Sequence, residues 1–427
     1  MRVLVVGAGG FIGRHLAARL AGEGLQVVAA GRDSKALSHL LPGVEIVPCD
    51  LMRDGAGDWA QRLRGIDAVV NCAGVIGAGA DYGRVHQHGA IALFDGARAT
   101  GVGRVIQISA LGADETGTTP YHRSKRAADD HLTRLGADGT AMGWAVLRPS
   151  LVLGRGGAST ALFAALAALP VTPRLGGGHW QVQPIHVEDL VEIVGHLLRD
   201  PGPLCARLDV VGPAAMSTDE LTAVMGRWLG LELERTPVLP IPRWLLAFVT
   251  RAGIGPASPE SLTMLAAGNT APLAPLVEAT GIMPRPIEQA LALHPSSSAD
   301  LAMSRLASMI PVMRWLLALV WLAGGLVSLG LAPAGTTDAM LARLGLAGTA
   351  AMVALWVGSL ADIAVGLAIL ARRRGGALAG VMLMGGYTTI LSAVAPELWT
   401  DPFGPLVKNL AVLGLSLAVH ALEMRRG

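Results

Sequence analysis

The sequence predicts an α/β domain, a doubly wound parallel sheet with a small lid region, followed by an all-α bundle of four transmembrane helices. Three observations carry that prediction. The chain opens with a short apolar strand that runs into a glycine turn and then a helix. Strand-like apolar runs alternate with helical patterns to about residue 200. Beyond Pro311 come four long apolar stretches with few charges. The expected parts are residues 1–293 for the α/β domain, 294–311 for a polar linker and 312–427 for the bundle.

Composition sets the outer limits. The chain has 427 residues, is 52% apolar, and is 15% charged against a usual ~25%. A net charge of +2 excludes a strongly basic nucleic-acid binder. Cys49, Cys72 and Cys205 are too few for a disulfide scaffold and lack the spacing of a zinc site, so no metal site is expected.

The first strand, Val3–Val6, is followed at once by Gly7-Ala8-Gly9-Gly10-Phe11-Ile12-Gly13 and a helix over Arg14–Ala21. Strand, glycine turn and helix in that order make a dinucleotide fingerprint. The glycines allow close backbone approach to a pyrophosphate, and the helix N-terminus faces it. A second strand, Gln26–Ala30, ends in Gly31-Arg32-Asp33. With glycine at the tip and Arg32 next, a bidentate grip on a 2′-phosphate is expected, hence NADP(H) over NAD(H); Asp33 is the argument for NAD(H). Further strands lead to Asp50-Leu51, placed to border the adenine, and to Asn71-Cys72-Ala73-Gly74, a small-residue turn beside the cofactor.

The strand Val105–Ile108 leads to Ser109, and Tyr121-His122-Arg123-Ser124-Lys125 opens a helix that runs to about Leu135. Four residues apart, Tyr121 and Lys125 share one helix face. Hydride transfer to a carbonyl needs a proton donor for the oxygen. A phenol serves if a nearby ammonium stabilises its anion, and the ammonium also holds ribose hydroxyls. The Ser109 hydroxyl is placed to hold the substrate oxygen. The alternative is that Tyr121 and Lys125 bind cofactor and do no chemistry. Val146–Pro149 reads as a strand whose Arg148-Pro149 end reaches the nicotinamide.

Pro184-Ile185-His186-Val187-Glu188-Asp189 enters a helix with its acids at the N-terminus, where they suit the helix dipole, and His186 reads as structural. Ser217 and Glu220 form a capping box. The stretch Val238–Val249 is too short to cross a bilayer. With Trp244 and Phe248, flanked by Arg243 and Arg251, it fits either a helix lying on a membrane surface or a lid.

The apolar stretches 315–332, 346–371, 377–396 and 404–422 each approach the ~20 residues that span a bilayer. Gly324-Gly325, Gly345, Gly348 and Gly385-Gly386 suit close helix contacts. The cationic run Arg372-Arg373-Arg374 and the terminal Arg425-Arg426 place the N-terminal domain and the C-terminus on the cytoplasmic side. Met1-Arg2 leads directly into a strand, so no signal peptide is expected. Asp362 and Tyr387 fall at matching depths, which predicts a hydrogen bond between them, and Lys408 is expected to reach toward Glu397 and Asp401.

The first ~290 residues resemble the short-chain dehydrogenase/reductase superfamily, in its atypical branch with the NAD(P)-binding accessory subunit of complex I and the NmrA-like sensors. The resemblance rests on Gly7, Gly10, Gly13, Asp50, Asn71–Gly74, Ser109, Tyr121, Lys125, Arg148-Pro149 and His186–Asp189. It implies a Rossmann fold and a Ser109, Tyr121, Lys125 reductase triad. One position departs: where extended relatives commonly carry an asparagine, this chain has Val85-His86-Gln87-His88. The last ~115 residues resemble the DoxX-like membrane family through Trp321, Asp362, Tyr387, Pro396-Glu397, Asp401-Pro402-Phe403, Pro405 and Lys408-Asn409. The fusion implies a bacterial inner-membrane oxidoreductase using NAD(P)H on a hydrophobic carbonyl or quinone-type substrate. A silent nucleotide-binding subunit of a membrane redox complex and a redox sensor are the alternatives. A membrane anchor favours the first, because it concentrates the enzyme on a lipid-dissolved substrate.

Overall fold

A computed structural model of the protein describes residues 1–77, 79–137, 142–202, 204–232, 238–242, 244–245, 250, 259–331, 336–373 and 375–423. It divides into two compact units, Met1–Arg305 and Leu306–Gly427.

The first unit is built on seven parallel strands: β1 Arg2–Val6, β2 Gln26–Gly31, β3 Glu45–Pro48, β4 Ala68–Asn71, β5 Arg104–Ile108, β6 Gly143–Pro149 and β7 Cys205–Val210. Their spatial order is β7-β6-β5-β4-β1-β2-β3. The order reverses at β1, whose Val3 pairs with Val27 on one side and Ala68 on the other. A parallel sheet is covered on both faces, which is why its strands are apolar runs rather than alternating ones. Leu16, Leu20, Leu190, Ile193 and Val194 cover one face; Trp59, Phe94 and Leu132 cover the other. Reversal at β1 opens a crevice at the strand ends, the place where such sheets take ligands.

Helices Ala158–Ala167, Thr218–Trp228, Pro259–Ala266 and Ile287–Ala292 build a smaller region with its own core of Leu162, Phe163, Trp180, Leu221, Met225, Leu265 and Leu291. The Ser217 capping box forms: Glu220 N–H donates to Ser217 Oγ at 3.1 Å, and Ser217 N–H to Glu220 Oε2 at 2.6 Å. Of the expected surface helix, Arg243, Phe248 and Arg251 lie outside the described residues, and Trp244 is exposed.

Among the described residues, four helices are long and apolar enough to cross a membrane: Ser298–Gly330, Gly348–Leu370, Gly376–Val394 and Pro405–Leu422. The first begins earlier than the expected span, so most of the supposed linker 294–311 is helical. The cause is a local cap. Ser297 N–H donates to Asp300 Oδ2 at 2.7 Å, Asp300 N–H returns to Ser297 Oγ at 3.3 Å, and the helix runs on through Pro311.

Inside the bundle, Tyr387 donates to Asp362 Oδ1 at 2.9 Å, as the matching depths predict. Glu397 pairs with Arg343. That pairing brings the first and third interhelical loops to one end. The close contacts involve other glycines than most of those expected. A Cβ on Gly325 would lie 2.6 Å from the Ser359 carbonyl oxygen and one on Gly366 2.8 Å from Leu322, whereas Gly385 and Gly386 face open space.

Candidate functional site

The glycine turn is shaped by backbone contact. Gly7 has φ +76°, and a Cβ there would sit 2.8 Å from Ala73, so the first turn touches the turn after β4. A Cβ on Gly13 would lie 2.3 Å from the Gly7 carbonyl oxygen. Gly9 and Gly10 are exposed, and helix α1, Phe11–Gly22, starts with no side-chain cap and no acid in its first turn. Its first N–H groups are therefore free to meet an anion. Phe11 packs its ring against the Gly154–Gly157 loop, and Ile12 joins the core beneath the turn.

The β4 turn is fixed from within. Asn71, buried, donates to Gln107 Oε1 at 2.7 Å and accepts from Ala73 N–H at 3.1 Å. Asp50 accepts from Met52 N–H at 3.0 Å and lies 3.6 Å from Arg53, while the Leu51 carbonyl packs against Gly89. Pro149 accepts from Leu111 N–H at 2.9 Å, which joins the end of β6 to the loop after Ser109. These residues follow the C-terminal ends of β1, β3, β4, β5 and β6, the edge of the sheet at which the strand order reverses, and the Gly9-Gly10 backbone there is exposed.

Tyr121 and Lys125 lie on one helix, α2, Pro120–Ala137. Lys125 Nζ donates to Ile108 O at 3.0 Å and to Ala73 O at 3.2 Å, and a Cβ on Gly74 would lie 3.4 Å from it. Two of its three N–H bonds are thus spent on the crevice wall, and one is left for a ligand. Burial lowers the Lys125 ammonium to about 8, against the pull of Asp129. Tyr121 is pushed up to about 12 by burial, with Asp129 and Tyr82 adding to it, so its phenol is neutral and proton-loaded.

Ser109 does not stand as the triad expectation has it. Its hydroxyl donates to Asp129, a fully buried carboxylate one helical turn beyond Lys125. Burial raises Asp129 to about 6 despite the Ser109 hydrogen bond.

The structure adds residues that the sequence reading passed over. Tyr82 and His86 flank the Tyr121 ring edge to face at centroid distances of 5.9 and 5.3 Å. His86 lies in the stretch Val85–His88 where the resemblance departs from the family pattern, and it is buried on a π-helical turn, Gly83–Gly89. Its Nε2 accepts from Val75 N–H at 2.9 Å and its Nδ1 lies 3.1 Å from Ser124 Oγ, which itself donates to Tyr121 O at 2.7 Å. Burial, then Lys125, lower His86 to about 3, so it is a neutral strut between the β4 turn and α2. The signal for Asp129 was its spacing, four residues beyond Lys125 on the same face. For His86 the sequence offered only the departure at Val85–His88; spacing did not single it out, because a π-turn breaks the 3.6-residue period.

His186 caps the helix Val187–Arg199 through Nδ1. With Glu188 and His294 it forms, among the described residues, the group whose ligand atoms lie within 4.8 Å of one another. Within that group His294 Nε2 lies 2.8 Å from Glu188, Arg285 pairs with Glu188 at 3.3 Å, and Glu188 N–H donates to His186 Nδ1 at 3.4 Å.

Residues 3–204 match the NAD dependent epimerase/dehydratase family, and residues 318–417 match the DoxX-like family. Among curated relatives, a ceramide reductase of Caulobacter vibrioides is 36% identical over 203 residues, covering 47% of this chain and 61% of that protein. A 2-alkyl-3-oxoalkanoate reductase of Stenotrophomonas maltophilia is 30% identical over 180 residues, 36% of this chain and 52% of that protein. The chain thus spans between half and two thirds of the length of these relatives. MoeE5 in complex with UDP-glucuronic acid and NAD matches in fold with a TM-score of 0.53 at 22% identity, over 71% of this chain and 99% of that one.

The expectation of NADP(H) over NAD(H) is corrected by these findings. MoeE5 and a UDP-glucuronic acid 4-epimerase of Bacillus cereus, which are similar in fold, are solved with NAD, and the family model that matches residues 3–204 is that of an NAD dependent family. At the strand tip Arg32 and Asp33 are both exposed, and Asp33 caps the following helix by accepting from Ala36 N–H at 2.9 Å. The chain joins a Rossmann-type domain that matches the NAD dependent epimerase/dehydratase family over residues 3–204 to a four-helix segment that matches the DoxX-like family over residues 318–417.

Proposed function

We propose that the protein is an NAD(H)-dependent reductase of a lipid-dissolved carbonyl compound. The observation that carries this reading is Tyr121 beside Lys125 on the wall of a dinucleotide crevice, in a chain that also carries four membrane-crossing helices. The names of the two curated relatives, reductases of a ceramide and of an alkyl-oxoalkanoate, support the substrate class. NADH, when bound by these residues, would supply the hydride needed at a carbonyl carbon. Tyr121 gives its phenolic proton to the carbonyl oxygen, so an alcohol forms. Lys125 compensates the resulting phenolate and holds the ribose with its remaining N–H. His86 and Tyr82 keep the phenol in place. Purified protein in bilayers should oxidise NADH when a long-chain ketone or a quinone is dissolved in the lipid. Tight NADH binding with no oxidation for any of these would replace the reductase with a silent nucleotide-binding subunit. That second reading draws on Ser109, whose hydroxyl is spent on Asp129.

For the orientation we take the nucleotide domain and the C-terminus to be cytoplasmic in a bacterial inner membrane, on the charge of Arg372 and Arg373 against the Asp338 loop. A reporter inserted near Asp338 should then read periplasmic; a cytoplasmic signal would reverse the topology.

A further inference from the structure

We propose that Asp129 is a positioning residue of the site, the buried counter-charge that holds the Lys125 ammonium in its cationic, ribose-binding form. This rests on the nucleotide-binding reading above.

The geometry is a short buried string. Lys125 and Asp129 stand one turn apart on the same face of α2, 3% and 0% exposed. Adjacent residues at the end of β5 hold them: the Ile108 carbonyl accepts from Lys125, and the Ser109 hydroxyl donates to Asp129 Oδ2. Asp129 Oδ1 has no hydrogen-bond partner. A buried carboxylate with one neutral hydrogen bond needs charge to compensate it.

Two cations face it. Arg207, on β7, is committed to Asp130 at 2.8 Å and to Thr133 at 3.1 Å. Lys125 has only backbone carbonyls as partners, and these carry no charge. Around Lys125 the other titratable groups are Cys72, Tyr121 and His86. The first two are held neutral by high values and His86 by a low one. Asp129 is therefore the anion that supports the ammonium against its burial, and Asp130 is turned to Arg207 and Arg126.

The sign follows. Lys125 lies below its ordinary value, at about 8, so its charge is present below that pH and lost above it. Nucleotide affinity should fall as pH rises through that range. Removing the Asp129 charge takes away a stabiliser of the ammonium, so the fall should come at lower pH.

The experiment is a titration of NADH into the full-length protein in detergent, followed by nucleotide fluorescence from pH 6 to pH 9. Asp129→Asn should shift the midpoint down by about one pH unit or more, matching wild type near pH 6 and binding about fivefold more weakly near pH 8. Asp129→Glu should restore the wild-type midpoint. In Lys125→Arg the fall should vanish, because a guanidinium does not titrate there. Should Asp129→Asn fail to fold, Ser109→Ala keeps the carboxylate but frees it to take up a proton, and should move the midpoint the same way by less. An unchanged midpoint in Asp129→Asn, or in Ser109→Ala where that variant decides, would overturn the proposal. So would equal weakening at every pH, which marks a structural role, or a fall that persists in Lys125→Arg. Wild type that binds no NADH at any pH would instead overturn the nucleotide site itself.

Discussion

The two units handle polarity in opposite ways. In the α/β unit, buried polar groups are chained: Asn71 to Gln107, His86 to Ser124, Lys125 to two carbonyls, Ser109 to Asp129. In the membrane unit the described polar side chains are sparse and paired over one step, as in Tyr387 with Asp362 and Asn409 with Thr388 at 3.0 Å. Its large apolar side chains, such as Trp356, Val357, Leu360 and Met382, point outward, where the first unit keeps such groups inside. Water explains the difference. A soluble core is driven together by apolar burial and can spend polar chains on a site. Helices in lipid gain nothing from hiding Leu, so contact and a few hydrogen bonds must hold them.

That contrast can be broken at either end. Tyr121→Phe removes one proton and almost no packing, so turnover should fall by roughly 10²–10⁴ while NADH affinity stays within error. Normal turnover in this variant would remove Tyr121 as the donor. Gly13→Val forces a side chain onto the Gly7 carbonyl oxygen. At about 1–3 kcal/mol of overpacking, NADH affinity should fall about 5- to 150-fold by equilibrium titration, with extraction from membranes unchanged. Unaltered affinity would mean that the turn does not carry the nucleotide. Tyr387→Phe should cost the bundle only about 0.6 kcal/mol in a detergent-unfolding assay and leave NADH binding untouched. A loss of nucleotide affinity there would show that the two units are energetically coupled.

Much of this was legible from residue order. The strand–turn–helix start, the pairing of Tyr121 with Lys125 and the Asp362–Tyr387 contact all follow from spacing, which is local information. What stayed hidden depends on burial and on competition between partners. Arg32 and Asp33 both stood at the β2 tip, and sequence does not say which one meets the ribose. Ser109 read as a substrate-binding hydroxyl because nothing in the order of residues shows that Asp129 takes it. The first membrane helix started early because Ser297 and Asp300 cap each other, a signal masked by the polar run around them. Gly385-Gly386 and Gly366 look alike as letters; only the crossing of the helices makes one a contact and leaves the others open.

The Gly325 contact has a consequence for how this bundle tolerates change. Even a single methyl group there meets the Ser359 carbonyl oxygen, so the seam between two helices admits hydrogen and nothing larger. On the outward faces, Leu, Val, Ile and Met are nearly interchangeable to hydrocarbon, and a sequence drifting under selection can shuffle them freely. The information that defines the bundle therefore resides in its smallest residues, and a library randomised over the lipid-facing positions should keep its fold where one randomised over the seams would not.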